Sequence, residues 1–156
     1  MPIIERLSKN MQDRMLNWPC NEYQDTPWTP VTKPLSQSKV TLVSTAGFHL
    51  RGDEPFKVGE SSYRTIPRTT SPANIIQSHN SIAFDRTETF RDINITYPVD
   101  RLEELVNQGK IGSLSDDYYS FMGALNDVSG LIENSGPALA DILKKNGIDV
   151  VILVPT

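Results

Sequence analysis

Hydrophobic positions along the chain fall into short runs separated by long polar stretches, and each run carries its own period. Ile3, Leu7, Met11 and Met15 recur four apart, the spacing of one helix face. Lys39 to Thr45 (KVTLVST) is β-branched and apolar, a strand that runs into Ala46 and Gly47, a natural sharp turn. Phe48 to Glu60 reads as a polar loop, and Ser62 to Ile66 as a short strand closed by Pro67. Asn74 to His79 fits either a helical turn or a strand, and Ser81 to Tyr97 is loop-like. Pro98 opens a helix with an apolar stripe of Val99, Leu102, Leu105 and Val106, ended by Gly109. A second helix is expected from Ser115, with Asp116 and Asp117 in its first turn, through Leu125 and, weakened by Gly123 and Gly130, toward Ile132.

The closing stretch has the strongest signals. Ser135 or Gly136 can cap a helix, Pro137 suits its first position, and Leu139, Ile142 and Leu143 share one face. Lys144 and Lys145 complement the helix dipole, and Asn146 and Gly147 supply a left-handed stop. Val150 to Val154 is continuously apolar, the pattern of a strand buried on both faces. That strand and the one at Val40 to Thr45 are expected to be parallel neighbours. The fold class is therefore α/β, a mainly parallel sheet flanked by helices in Rossmann-like or flavodoxin-like layers. Residues 1–34 form a separate N-terminal helix and proline-rich arm, with Pro19, Pro27, Pro30 and Pro34 among Trp18, Tyr23 and Trp28. The aromatics imply an arm wrapped on a surface or around a second subunit. Residues 35–156 form the α/β domain.

A length of 156 residues gives one domain-sized core, and 38% hydrophobic with 22% charged residues is globular. A formal net charge of -4 offers no electrostatic attraction for nucleic acid or an anionic membrane. No apolar run is long enough to span a bilayer and the N-terminus has no signal-peptide core, so a cytoplasmic location is expected. One cysteine, Cys20, excludes an internal disulfide, a cysteine-built metal site and a dithiol couple within these residues.

Ligands of open α/β sheets gather at strand carboxyl ends. The loop after the first strand places His49 and Arg51 there, and Arg51 could clamp a carboxylate. Gly47 and Gly52 lack the spacing of a phosphate loop. His79 precedes a polar stretch with Asp92 and Asn94, a candidate general base or metal ligand, although a loop histidine bonded to backbone is the commoner arrangement. Neither histidine has metal-ligand spacing with nearby carboxylates, so no metal is expected. The acid pairs Glu103–Glu104 and Asp116–Asp117 read as solvated helix starts.

Several segments taken together resemble the family that contains component B of the glycine, sarcosine and betaine reductases and D-proline reductase. They are Val40 to Leu50 (VTLVSTAGFHL), Ser78-His79, Asp92 to Asn94, Tyr97 to Leu105 (YPVDRLEEL), Gly109 to Gly112 (GKIG) and Gly147 to Pro155 (GIDVVILVP). The likeness covers roughly residues 33–156. It implies reductive cleavage of a carbon–nitrogen bond in a small amine or amino acid. It also implies a low-pKa selenocysteine or cysteine in a U-x-x-C or C-x-x-C motif just after the final strand. No residue of this sequence matches that motif, so it is expected just beyond Thr156 or on a partner. A UGA codon read as a stop, a split reductase, and a non-redox binding or assembly subunit are the three readings that fit. His79, Asp92, Asn94 and Asp100 match family positions and are implied as substrate-side lining, joined by His49 and Arg51 at the strand ends. An open apolar face beyond Val154 would call for a homo-oligomer or a partner subunit bearing the cysteine or selenocysteine.

Overall fold

A computed structural model describes residues 3–17, 24, 28–81 and 84–156, and the chain divides into two units, Met1–Pro30 and Val31–Thr156. In the first unit a 3-10 turn at Ile4–Arg6 precedes helix α1, Lys9–Leu16. The expected four-residue stripe is not formed as one helix face: Ile3 and Leu7 are extended residues flanking the 3-10 turn, only Met11 and Met15 lie on α1, and none of the four is buried. Half of the expected proline-rich arm, with Trp18, Tyr23, Pro19 and Pro27, lies outside the described residues, and Trp28 is exposed.

The second unit is built on strand β1, Lys39–Ser44, whose backbone is paired along both edges. Strand β2, Phe48–Leu50, and strand β4, Ile75–Gln77, form a separate antiparallel pair, and β3 is Tyr63–Pro67. Helices α2, Thr87–Arg91, and α3, Val99–Asn107, lead to strands β5, Ser113–Leu114, and β6, Asp117–Phe121. Helix α4, Gly136–Lys145, follows a π-helical turn and returns the chain to β7, Val150–Val154.

Strand β7 runs parallel to β1 over Val40 to Ser44. Because β5 pairs with Lys39 and Val40 and β6 with Val43 and Ser44, those two share the opposite edge of β1 as one interrupted flank. Antiparallel β3 completes that side. Alternation along β1 sorts the core into two layers. Val40 and Leu42 join Tyr97, Leu102 of α3 and Tyr118, whereas Val43 joins Tyr119, Phe121 and Leu139 and Leu143 of α4. The class is α/β with a mixed, mostly parallel sheet. Among the described residues no helix is long and apolar enough to cross a membrane.

Three expectations need correcting. The helix expected from Ser115 is a strand: Tyr118 to Phe121 are buried, held between β1 and β3, and aromatic side chains favour that two-sided surface. Asp116 and Asp117 therefore open a strand, not a helix. The loop expected from Phe48 begins as β2, because Phe48 and His49 bury and pair with Gln77 and Ile76. Strand β7 is not covered on both faces. Val150, Ile152 and Val154 pack on the α3 layer, while Val151 and Leu153 face outward, Leu153 with 70% exposure.

Candidate functional site

The strand ends are organised around the turn that follows β1. Gly47 takes a φ of 69°, a left-handed conformation that costs glycine little. An ideal Cβ there would lie 3.1 Å from the backbone nitrogen of His79, so only glycine lets the segment after β4 pass this close. The Ser78 N–H donates to the Gly47 carbonyl (2.9 Å), which fixes the start of the His79 segment. His79 is thereby carried into the core, 1% exposed, with its ring 4.6 Å from that of Phe84. The Arg86 guanidinium donates to its backbone carbonyl.

The hydrogen bonds settle the state of His79. The Ser81 N–H donates to Nδ1 (3.2 Å), so Nδ1 must be the unprotonated nitrogen and the proton sits on Nε2. Burial, and then the positive charge of Arg86, pull its pKa below the ordinary histidine value. The imidazole is therefore neutral, and its Nε2–H has no partner among the described residues. Buried donors are seldom left unpaired. Nε2 faces the backbone of Gly123, where a Cβ would lie 2.7 Å from it, 2.9 Å from the Thr45 carbonyl oxygen and 3.0 Å from that of Thr156. The ends of β1, β6 and β7 thus meet over one ring nitrogen. Thr156 is tied in by its N–H to Thr45 Oγ1 (2.9 Å), and Thr45 N–H donates to the Val154 carbonyl (3.1 Å). Beside this point an apolar groove of about 720 Å³ runs between α4 and the outward face of β7, lined among others by Val43, Met122, Leu139, Val151 and Leu153.

The other expected residues are placed apart from this point. His49 is buried with both ring nitrogens engaged: Nδ1–H donates to the Leu50 carbonyl (2.9 Å), so Nε2 accepts from the Ser78 hydroxyl (2.5 Å). Arg51 is exposed and its guanidinium donates to the Ala73 carbonyl (2.9 Å). Asp92, Asn94 and Asp100 do come together. The Asn94 side-chain amide donates to Asp92 (2.9 Å) and to Asp100 (2.8 Å), and its carbonyl accepts the Asp100 N–H at the start of α3 (2.9 Å). Hydrogen bonds from the Asn94 side chain and backbone hold the Asp92 carboxyl below its usual range. These three line a second cavity, of about 350 Å³, with Gln77 and Phe90. Neither cavity is lined by His49, Arg51 or His79. No group of three or more histidine, cysteine or acidic side chains suited to a metal occurs among the described residues.

Residues that sequence reasoning passed over are Gly123, Thr45 and the two tyrosines Tyr97 and Tyr118. Both tyrosine hydroxyls are buried without a partner among the described residues, and burial raises both pKa values far above the ordinary one. Gly123 carried a usable signal, since an isolated glycine in an aromatic strand pattern marks a close backbone approach.

An α/β chain whose parallel strands β1 and β7 end beside a buried histidine and an apolar groove is the class of protein this geometry defines. The chain belongs to the glycine/sarcosine/betaine reductase selenoprotein B family, whose sequence profile matches residues 3–156. It is 37% identical over 127 residues to the gamma subunit of D-proline reductase from Acetoanaerobium sticklandii, covering 81% of this chain and 52% of that protein. It is 30% identical to a glycine reductase complex component B gamma subunit from Carboxydothermus hydrogenoformans, covering 88% of this chain and 32% of that protein. A sarcosine reductase complex component B beta subunit from Peptoclostridium acidaminophilum is 27% identical, with 89% and 33% covered. The chain thus spans about half the length of the first relative and about a third of the others. No solved structure matches it.

Proposed function

We propose that this chain forms the strand-end wall of a reductase site that cleaves the carbon–nitrogen bond of a small amine or amino acid. The observation that carries the reading is the unpartnered Nε2–H of His79, buried where β1, β6 and β7 end. Membership of the reductase family supports it, as do the relatives named as subunits of glycine, sarcosine and D-proline reductases. The redox selenocysteine or cysteine comes from outside residues 31–156, on adjoining polypeptide or a partner subunit. When present, such a chalcogenolate supplies the nucleophile, and a neighbouring thiol resolves its adduct.

The work of this chain's own residues is binding, exclusion of water and proton placement. The strand ends close so tightly over Gly123 that no side chain fits there, and His79 holds its proton at that junction. Once covered by adjoining polypeptide or a partner, the apolar groove would keep water from the strand ends and strengthen each remaining polar contact. In the separate second cavity Asp92, kept ionised, and Asn94 offer acceptors to an amine, with Asp100 holding Asn94 in place. His49 and Arg51 brace the strand pair beneath, and a cytoplasmic location suits a thiol-dependent reaction.

The test is to coexpress the chain with the remaining subunits of a reductase of this family and assay, with a dithiol reductant, ammonia or amine release from glycine, sarcosine and betaine and ring opening of D-proline to a linear amino acid. Cleavage of one of them, lost when the chain is omitted, is expected. No cleavage of any substrate, with the assembled complex intact by mass, would sink the reading. A second reading, a binding or assembly subunit without its own chemistry, is favoured by the outward Leu153 and Val151 on β7, which form a ready contact face for a second copy or partner.

A further inference from the structure

Strand β7 is uncovered on two sides at once. Among the described residues it pairs only with β1, so its far edge has no strand beside it. Val150 to Val154 hold no charge and no proline, the devices that guard a lasting sheet edge. The outward face is bare as well. The register sets Val151 beside Thr41 and Leu153 beside Val43, so both lie on the α4 face, where they are 38% and 70% exposed. They line one side of the apolar groove, and Leu139, Ala140 and Leu143 of α4 line the other.

The spacing of the sheet gives the size of what fits there. A helix is about 10 Å across and strands lie about 4.8 Å apart, so one helix roofs about two strands. Helix α4 roofs β1 and β6, through Val43, Tyr119 and Phe121. The next helix along would roof β7 and one strand beyond it. Handedness selects the same face. Strands β6 and β7 both run parallel to β1, one on each side, and α4 crosses between them. Parallel crossovers are right-handed in nearly every case, so a further strand added in the same direction brings its helix to the α4 face. That face is the bare one. The opposite face of β7 is already packed in the α3 layer through Val150, Ile152 and Val154.

Other occupants leave part of this open. A second copy paired edge to edge through β7 would complete the edge but leave a trough two strands wide between the two copies of α4. A small apolar ligand would fill the groove but leave the edge unpaired. About half of the D-proline reductase gamma subunit, and about two-thirds of the glycine reductase one, lies outside the part this chain covers, so these relatives carry further polypeptide. We propose that one helix–strand unit of polypeptide, continuing from β7 by a right-handed crossover, fills this place. Its helix lies beside α4 on Val151 and Leu153, and its strand runs parallel along the open edge. The unit rests on the sheet geometry and on the relatives' length, not on the chemistry proposed above.

The experiment compares the 156-residue chain expressed alone with the protein purified from its own host, by carbene footprinting and intact mass. Leu153 should label strongly in the chain alone and at least tenfold less in the host protein, with Val58, 88% exposed, unchanged. The host protein should be heavier than 17.4 kDa, and its sequence after β7 should show a helical apolar stripe over about 10–14 residues and then an apolar strand. Equal labelling of Leu153 in both preparations overturns the unit. So does protection in a host protein of 17.4 kDa, whether by a second copy or by a separate polypeptide, and so does a continuation lacking that helix and strand. Protection of Leu153 by self-association of the chain alone, read by sedimentation, also overturns it. The ratio of Leu153 to Val58 labelling in the host protein decides even where the isolated chain does not fold. Substrate cleavage by host protein with Leu153 still open would sink the unit alone. A covered Leu153 without cleavage of any substrate would sink the reductase reading alone.

Discussion

Ser44 is the buried polar group on which the strand end depends most directly. It is fully buried on β1, where its hydroxyl donates to the Thr96 carbonyl (2.8 Å) and accepts from the Ala46 N–H (3.2 Å). Ser44→Ala would leave a buried carbonyl and a buried N–H without partners, in a gap too small for water. Each orphan costs roughly 1–3 kcal/mol, so the pair is worth on the order of 3 kcal/mol. At about 2–4 °C per kcal/mol for a chain of this size, the melting temperature should fall by about 6–12 °C. Urea unfolding measures the loss, and amide exchange locates it, with faster exchange at Ala46 and in the residue 92–96 turn. Ser113→Ala, at an exposed position on β5, is the control and should stay within about 0.5 kcal/mol. A Ser44→Ala chain as stable as that control, with exchange at Ala46 unchanged, would refute the assignment of these bonds.

Three further outcomes follow from the same geometry. His79 stays neutral in the folded chain while an unfolded histidine takes up a proton near about pH 6.5, so stability should fall as pH drops through that value. His79→Gln should flatten that slope in urea midpoints, and an unchanged slope would contradict the buried neutral imidazole. The Glu60 carboxyl sits at about 2 against an ordinary 4.5: burial works against this, but bonds from the Lys57 N–H, the Ser62 hydroxyl and Arg64 outweigh it. Its contribution is full above 4.5 and should be lost as pH falls toward about 2, an acid-limb slope that Glu60→Gln should reduce. Leu153→Lys on the outward face of β7 should change folding stability by no more than about 0.5 kcal/mol, yet weaken self-association or partner co-purification, read by sedimentation.

Local signals in the sequence were strong where one element decides its own form. Pro98 with its apolar stripe, the Pro137 start of α4 and the Gly147 stop each act within a turn of chain, and those helices formed where expected. The parallel pairing of β1 with β7 was legible because both are β-branched and apolar. Tyr118 to Phe121 was misread because its acidic start mimics a helix N-terminus, and only the slot between β1 and β3 decides for a strand. The outward face of β7 was equally hidden, since an apolar run does not reveal which faces are covered. At the site, Asp92, Asn94 and Asp100 lie within nine residues and their meeting was readable in outline. The approach of His79 to Gly123 was not, because it spans three strand ends distant in sequence.

The pairing of β1 with β7 also sets a schedule for synthesis. Lys39 N–H bonds the Asp149 carboxylate across 110 residues of intervening chain. At about 5–20 residues per second, a ribosome needs about 5–20 s to make that stretch. For that interval the central strand of the unit has one hydrogen-bonding edge uncovered, the kind of edge that recruits stray strands. The element made first in the sheet is the last to be enclosed, so crowded or stalled translation is when this chain is most exposed to misassembly.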